Sequence, residues 1–414
     1  MKGTFAFMII AAMILGVGAG WFTHEQAGAA WAPTAIMIYG LLPKIFIMLI
    51  KMIIAPLVLS TLVTGVGHME DAASVGRIGI KTLGWFLCMS ILSLLIGMAV
   101  VEWLQPGAGI TLAQVAGEAA PKTPSTAGFT LDNFIDHVIP TSIFKALADN
   151  EVLQIVIFGV FVGTAVSSLE KGAPQVMALA EQVSEIMLKV TATVMKFAPF
   201  GIFGALAQTV AQQGLPILLT YAKFVGGFYG GLAILWVVLF LAGLVFAGRR
   251  IFKVFGLARD PAMLAFATAS SEAAYPRVLA SLPQAGVSRK IVSFVLPLGY
   301  AFNLDGSMMY CTFATLFIAQ AHHITFSLPQ KALLVLLLII TSKGIAGVPK
   351  ASLVVIMAAM AYFGLPAEWI ALVMGVDHLL DMGRSATNVI GNSVAATVVA
   401  RWEGQLGEPE KVEA

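Results

Sequence analysis

Charge is scarce in this chain of 414 residues: Asp, Glu, Lys and Arg make up 11%, against 59% hydrophobic residues. A soluble core of that length cannot hide so much apolar surface, which excludes a soluble domain and leaves a polytopic membrane protein. The mean hydropathy of +0.91 agrees. Cysteine is almost missing, with Cys88 and Cys311 both inside apolar segments, so neither a disulfide framework nor a cysteine metal site is expected. Basic runs interleaved with aromatics are absent and the net charge is only +2, so nucleic acid is set aside as a partner. No nucleotide-binding loop, metal-ligand spacing or catalytic triad is legible, and no cofactor or enzymatic activity is expected.

What is abundant is long apolar runs, at residues 5–22, 36–66, 82–103, 150–167, 183–211, 219–247, 291–320 and 367–400. Most exceed the ~20 residues that span a bilayer, so tilted or broken helices are expected. The run at the N-terminus is long enough to span and reads as a retained first helix rather than a signal peptide. Lys2, the pair Arg77 and Lys81, and the cluster Arg249, Arg250, Lys253 and Arg259 mark cytoplasmic loops, whereas residues 24–31 and 104–128 hold only Lys122 as a basic residue. Eight transmembrane helices with both termini cytoplasmic satisfy the positive-inside rule.

Two interruptions stand out. Between Arg259 and Arg289, and again between Pro329 and Leu365, short apolar stretches flank a centre of small, polar and proline residues. Each predicts a re-entrant helical hairpin, whose irregular tip survives at membrane depth only when buried in protein or lining a cavity. An ordinary kinked helix is the alternative at residues 330–362, but it would move Arg401 and Lys411 outside. Each hairpin is followed by an Asn–polar–Gly element, Asn303-Leu304-Asp305-Gly306 and Asn388-Val389-Ile390-Gly391-Asn392. That arrangement is the signature of inverted repeats with a site between the halves.

The most polar intramembrane segment is Gly375 to Asn392, GVDHLLDMGRSATNVIGN. At ~100° per residue, Asp377, Asp381, Arg384, Asn388 and Asn392 fall within roughly 80° of one helix face. Asp or Arg in hydrocarbon costs roughly 2.5 to 3.5 kcal/mol on insertion scales, so this stripe must face protein or water. Either it is a polar binding site, or it is an ion pair that locks a helix bundle.

The blocks KMIIAPLVLSTLVTGV (51–66), KFAPFGIFGALA (196–207), SFVLPLGYAFNLDGS (293–307), SKGIAGVP (342–349) and DMGRSATNVIGN (381–392) carry a resemblance over nearly the whole chain. The sequence resembles the dicarboxylate/amino acid:cation symporters, the glutamate transporter family, and is most similar to the bacterial proton/glutamate branch. The resemblance implies an inner-membrane homotrimer, in contact with lipid, that works as an elevator. Residues 1–74 (helices 1–2) and 106–218 (an extracellular loop and helices 4–5) would form the scaffold. Residues 75–105 (helix 3) and 219–404 (helix 6, first hairpin, helix 7, second hairpin, helix 8) would form the transport domain, with 405–414 a cytoplasmic tail.

In similar transporters an arginine at the position of Arg384 grips the side-chain carboxylate of aspartate or glutamate, and Asp381 receives the amino group. Asn388, with Ser385 and Ser307 as lesser contacts, would bind the α-carboxylate together with tip amides at Ser270, Ser271, Gly347 and Val348, where helix ends favour an anion. Asp377 would support Arg384. The coupling residues depart from the sodium-coupled pattern. Asn392 stands where an Asp is usual, and Phe86 and Met89 replace a Tyr and a Thr, although Ser90, Asn303 and Asp305 are retained. Lys343 is expected beside a third sodium site, where a fixed ammonium can replace a mobile cation, and Asp305 is expected to pair with Ser90 or Lys343. Two positives against Asp305, Asp377, Asp381 and Glu272 leave a dry pocket short of positive charge once glutamate enters, which points to protons. Glu272 is the leading carrier, with capping of a hairpin helix or pairing to Arg277 or Lys343 as its plainer role.

The expectation is a proton-coupled symporter for glutamate or aspartate. Sodium coupling is the first alternative, and a C4-dicarboxylate carrier is a more distant one. From other classes, an intramembrane aspartyl protease lacks its Gly-x-Gly-Asp element before Asp305, and a passive channel does not need hairpins that can occlude a ligand.

Overall fold

The computed structural model describes residues 2–67, 72–108, 139–169, 173–213, 221–342, 351–370, 373 and 376–408. Among them the ordered backbone is helical, and the sole extended pairing is an isolated bridge between Val287 and Leu406. In chain order the helices are α1 (Lys2–Glu25), α2 (Ala32–Gly67), α3 (Ala72–Leu104), α4 (Ile143–Asp149), α5 (Val152–Ser168), α6 (Pro174–Val194) and α7 (Ala198–Gln213). They continue with α8 (Ala222–Ala247), α9 (Arg250–Thr268), α10 (Tyr275–Ser281), α11 (Arg289–Phe302), α12 (Asp305–Ala321), α13 (Leu328–Thr341), α14 (Ala351–Tyr362) and α15 (Asp377–Trp402).

Helix α2, the Ser74–Leu104 part of α3, and α8 are long and apolar enough to cross a membrane, and the pair α6–α7, bent by 52°, brings the number to as many as four. Large apolar side chains stand outward on them and their neighbours, among them Trp103 (84% exposed), Val245 and Ile80. Such a surface needs lipid or protein against it, as expected of a multi-pass membrane protein.

The remaining expected crossings are interrupted for local reasons. The apolar run 291–320 does not form one helix: α11 ends at Phe302, and Asn303 (φ −118°, ψ 67°) and Leu304 leave the helical path before Asp305 restarts it. One donor freed by this break, the Gly306 N–H, is met by a side chain, Asn388 Oδ1, at 2.9 Å. The run 367–400 is likewise split, with a 3-10 turn over Ala367–Ile370 before α15 begins at Asp377.

The first hairpin differs in extent from its sequence expectation. Its first arm, α9, starts at Arg250 and continues through Arg259 and Pro261 to Thr268. There Ala269 adopts the left-handed conformation (φ 49°) that a glycine takes without strain. The chain then returns through a 3-10 turn at Glu272–Ala274, α10 and a second 3-10 turn at Leu282–Ala285. The two helices expected to form the arms of the second hairpin, α13 with 14 residues and α14 with 12, are about 21 and 18 Å long. Neither can cross a ~30 Å core alone. Residues 343–350, which hold the tip residues Lys343, Gly347 and Val348, lie outside the described residues.

Packing sorts the helices into two groups. Helix α7 lies against α1 and α2, and α2 also carries α5 and α6. In the second group α15 is surrounded by α8, α9, α11 and α12, with α3 on α8 and α12, and α14 on α12. Glycine sets the closeness inside each group. A Cβ added at Gly16 or Gly20 on α1 would stand 2.7 Å from the Phe203 carbonyl oxygen or 2.6 Å from that of Ala207 on α7. This is the small-xxx-small contact by which helices pack in lipid. On α3, a Cβ at Gly97 would meet the Met309 carbonyl oxygen of α12 at 2.5 Å. The groups meet mainly where α2 and α5 touch α11. There a Cβ at Gly65 would stand 2.9 Å from Ser293 Cβ and 3.5 Å from the nearest backbone atom, the Lys290 carbonyl oxygen.

Candidate functional site

Helix α15 runs through the middle of the second group and is buried along most of its length despite its polar sequence. Asp377 is 5% exposed, Arg384 2%, Asn388 3% and Asn392 0%. Their one-in-three-or-four spacing gives the stripe, and the helices around α15 give it protein to face.

At its N-terminal end, Arg384 Nη2 reaches Asp377 Oδ1 at 3.1 Å and Asp381 Oδ1 at 3.0 Å. The two carboxylates thus share one nitrogen. Nε and Nη1 of the same guanidinium are buried with no hydrogen-bond partner among the described residues. Below the guanidinium lies the Tyr310 ring of α12, 4.1 Å from the arginine carbon to the ring centroid. Phe228 of α8 holds that ring edge-on at 5.6 Å. Asp381 differs from Asp377 in keeping 41% of its side chain exposed. The site is therefore a fixed cation, a buried carboxylate that holds it, and a second carboxylate open to a ligand.

One turn further on, Asn388 ties α15 to the broken helix. Its Oδ1 accepts from Gly306 N–H, capping α12, and its Nδ2 donates to Ser307 Oγ at 3.3 Å. Deeper still, Asn303 Nδ2 donates to Asp305 Oδ2 at 3.2 Å and to Asn392 Oδ1 at 3.1 Å. Asn303, Asp305 and Asn392 are all 0% exposed. Gly391 and Gly299 bring backbone against this cluster: a Cβ at Gly391 would collide with the Asp305 carboxylate, and one at Gly299 with the Asn392 amide. The same Cβ at Gly299 would lie 3.4 Å from Phe86 Cζ, so an aromatic edge lies next to Asn392.

The structure brings Asp377, Asp381 and Arg384 together, joins Asn388 with Ser307, and joins Asn303 with Asp305 and Asn392. Ser385 (4% exposed) and Ser90 (0%) are buried nearby on α15 and α3. Ser270 and Ser271 belong to the turn of the first hairpin, where Ser270 Oγ accepts from Ala273 N–H at 3.4 Å. Glu272 opens the next turn and is half-buried. Three supports are not singled out by sequence reasoning: Tyr310, Tyr229, whose hydroxyl donates to Leu379 O at 2.6 Å, and Trp236, whose Nε1 donates to Thr387 Oγ1 at 2.8 Å. An aromatic in an apolar helix reads as core, and only their polar tips, which need a partner when buried, carry a signal.

A buried arginine that keeps open donors beside two carboxylates, on a helix enclosed by α8, α9, α11 and α12, fits a carrier of organic anions. The model of the sodium:dicarboxylate symporter family matches residues 5–402. The chain belongs to that family. Among similar proteins, the proton/glutamate-aspartate symporter of Escherichia coli strain K12 is 38% identical over 413 residues, covering 97% of this chain and 94% of its relative. The proton/sodium-glutamate symport protein of Bacillus caldotenax is 36% identical over 416 residues, with 97% and 95% covered. A C4-dicarboxylate transport protein of Laribacter hongkongensis is 36% identical over 405 residues, with 97% and 90% covered. Members of this symporter family are transporters, and the chain is a transporter rather than an enzyme.

Proposed function

We propose that this symporter takes up glutamate or aspartate together with protons, and that it does so as a homotrimer in the inner membrane with both termini cytoplasmic. The observation that carries the substrate is the buried Arg384 guanidinium, with Nε and Nη1 unpartnered among the described residues while Asp377 and Asp381 share Nη2. A carboxylate is gripped bidentately by Nη2 together with Nη1 or Nε. The side-chain carboxylate of the substrate therefore takes the edge made by the open Nη1–H and the Nη2–H that Asp381 gives up, and Tyr310 and Asp377 keep the plane in position. Asp381, the exposed member, receives the ammonium group. A C4-dicarboxylate has no ammonium to offer, and a second carboxylate beside Asp381 would be repelled, so the acidic amino acid is favoured. Asn388 Nδ2, with Ser385 and Ser307, turns to the α-carboxylate, with the hairpin residues Ser270, Ser271, Gly347 and Val348 closing over it.

The cluster Asn303, Asp305 and Asn392 supports protons over sodium. Asn392 brings no formal charge, and a phenyl edge stands beside it. Glu272, half-buried at a hairpin tip, is the proposed carrier because it can meet water on its way to a buried position, while Asp305 stays in its amide cluster and Lys343 supplies a fixed positive charge. The division into helix groups supports an elevator: α1, α2 and α4–α7 as the fixed scaffold, and α3 with α8–α15 as the moving part, the two hairpins and the helices after them being inverted repeats.

The test is uptake of labelled glutamate and aspartate into proteoliposomes with an imposed proton gradient or an imposed sodium gradient, applied separately. Accumulation driven by protons in sodium-free buffer is expected. Accumulation with sodium alone would overturn the coupling assignment and favour the sodium reading that the Bacillus caldotenax relative's name includes. In Glu272→Gln, proton-driven accumulation should be lost while exchange of internal for external glutamate continues. Loss of exchange as well would remove Glu272 as the carrier.

A further inference from the structure

A second cavity, of about 460 Å³, lies between the helix groups, away from α15. Its walls come from α2 and α6 on one side and from α10 and α11 on the other. Pockets of that size hold a drug-sized ligand. Its charged lining is Glu181 and Glu185, one turn apart on α6, and Arg289 and Lys290, the first residues of α11. Glu181, Glu185 and Arg289 are exposed, so the charged rim opens to the exterior. Ser184 and Thr61 add hydroxyls, while Leu188, Leu279 and Val292 make an apolar wall.

The lining selects the ligand. Two carboxylates and two cations cancel overall but are segregated, carboxylates on α6 and cations on α11. A simple anion or cation would satisfy one wall and be repelled by the other. A zwitterion satisfies both, with its anionic group on Arg289 and Lys290 and its cationic group on Glu181 and Glu185. The site's level narrows the choice further. Thr61, Thr64 and Gly65 lie in the last two turns of the 36-residue α2, and α11 begins at the same level, so the cavity stands at the end of membrane-crossing helices where lipid headgroups lie. An apolar wall beside the charges suits the first carbons of an acyl chain.

We propose that this cavity binds the headgroup of a zwitterionic phospholipid bearing a primary ammonium, that is, phosphatidylethanolamine. Its phosphate lies on Arg289 and Lys290, and its ammonium donates to Glu181 and Glu185. Glu181, Arg289 and Lys290 already have partners in the unliganded protein, so binding exchanges those contacts for charge-assisted bonds to the headgroup. An ammonium carries three N–H donors, whereas the quaternary nitrogen of choline has none. Selection of ethanolamine over choline is the fingerprint of the carboxylate wall.

The test is native mass spectrometry of the full chain in detergent, titrated with phosphatidylethanolamine, phosphatidylcholine or phosphatidylglycerol. Wild type should bind phosphatidylethanolamine about tenfold more tightly than phosphatidylcholine. Glu181→Gln/Glu185→Gln should lose that preference, and Arg289→Gln/Lys290→Gln should weaken both lipids. Melting temperature and oligomer size check that the variants fold. Equal binding of the two lipids by wild type overturns the proposal without any variant, as does a preference that survives in Glu181→Gln/Glu185→Gln. Competition by soluble phosphoethanolamine at the affinity of the intact lipid would make the occupant a soluble zwitterion and overturn the lipid assignment.

Discussion

At the scale of single residues, two positions concentrate the consequences. Arg384 is gripped by Asp377 and Asp381 through one nitrogen, so Arg384→Lys keeps a cation near the carboxylates but loses the fork. Truncating one partner of a buried charge pair costs roughly 2–5 kcal/mol. Glutamate affinity, read by isothermal titration, should therefore fall at least about thirtyfold, while the melting temperature changes little. Gly391 is the second position. A methyl group there has only the Asp305 carboxylate to enter, and overpacking of this kind costs about 1–3 kcal/mol. Gly391→Ala should lower the melting temperature and expose the Asn303–Asp305–Asn392 cluster to faster amide hydrogen exchange.

The residues of the stripe were legible in the sequence because charge inside an apolar segment has so few tolerable explanations. Asn388 was legible as a polar residue but not as the cap of α12, since its bond to Gly306 spans 82 residues and depends on a helix break. Tyr310 was not legible as a support, because nothing in MMYCTF separates a ring under a guanidinium from a ring in the core.

At the scale of elements, the alternation of apolar arm, small polar centre and apolar arm announced the helix–turn–helix of α9 and α10 and the two short helices α13 and α14. It could not announce where α9 starts. Pro261 sits within α9 without ending it, and the chain turns at Ala269 instead. The break between α11 and α12 was hidden for a related reason: residues 291–320 are mostly apolar, and the chain leaves the helical path at Asn303 because α15 offers Asn392 to its side chain and Asn388 to the Gly306 N–H.

Another element-level contact joins the start of α3 to the end of α15. Glu403 accepts from Lys81 Nζ at 2.6 Å and from Arg77 Nε at 3.1 Å. Burial pushes the Glu403 carboxyl up, but the bonds from Lys81 and Arg77 outweigh it and hold it below its ordinary value of 4.5. A carboxyl lowered by folding stabilises the folded state above its unfolded value, and this stabilisation is lost as pH falls through the folded value. Lys81 and Arg77 are partly solvated, so the effect is small. Melting of Glu403→Gln should lie about 1–2 °C below wild type at neutral pH. The gap should close as the pH drops below 4.5.

At the scale of the whole molecule, the proposed elevator makes the contact between α2 and α11 the place to stop it. Cysteines at Gly65 and Ser293, in a background with Cys88→Ser, put two thiols on carbons that approach to 2.9 Å, so a parting of roughly 1 Å brings them to the ~3.8 Å a disulfide prefers. Oxidation should abolish accumulation of glutamate, and reduction should restore it. A control pair at Gly159 and Leu62, whose carbons approach to 3.5 Å inside one group, should leave uptake intact when oxidised. Equal inhibition by the two pairs would count against a sliding boundary.

The distribution of glycine bears on the same boundary. Within each group, Gly16, Gly20 and Gly97 let one backbone rest on another, and such interlocking can only be undone by pulling helices apart. Between α2 and α11 the close approach is to a lone Cβ, that of Ser293, and the nearest backbone atom of α11, the Lys290 carbonyl oxygen, stays at ordinary contact distance, 3.5 Å. In the proposed elevator that boundary is the slip plane between two interlocked blocks: resistance to shear is lowest along one surface, and the placing of the backbone-to-backbone glycine contacts selects it.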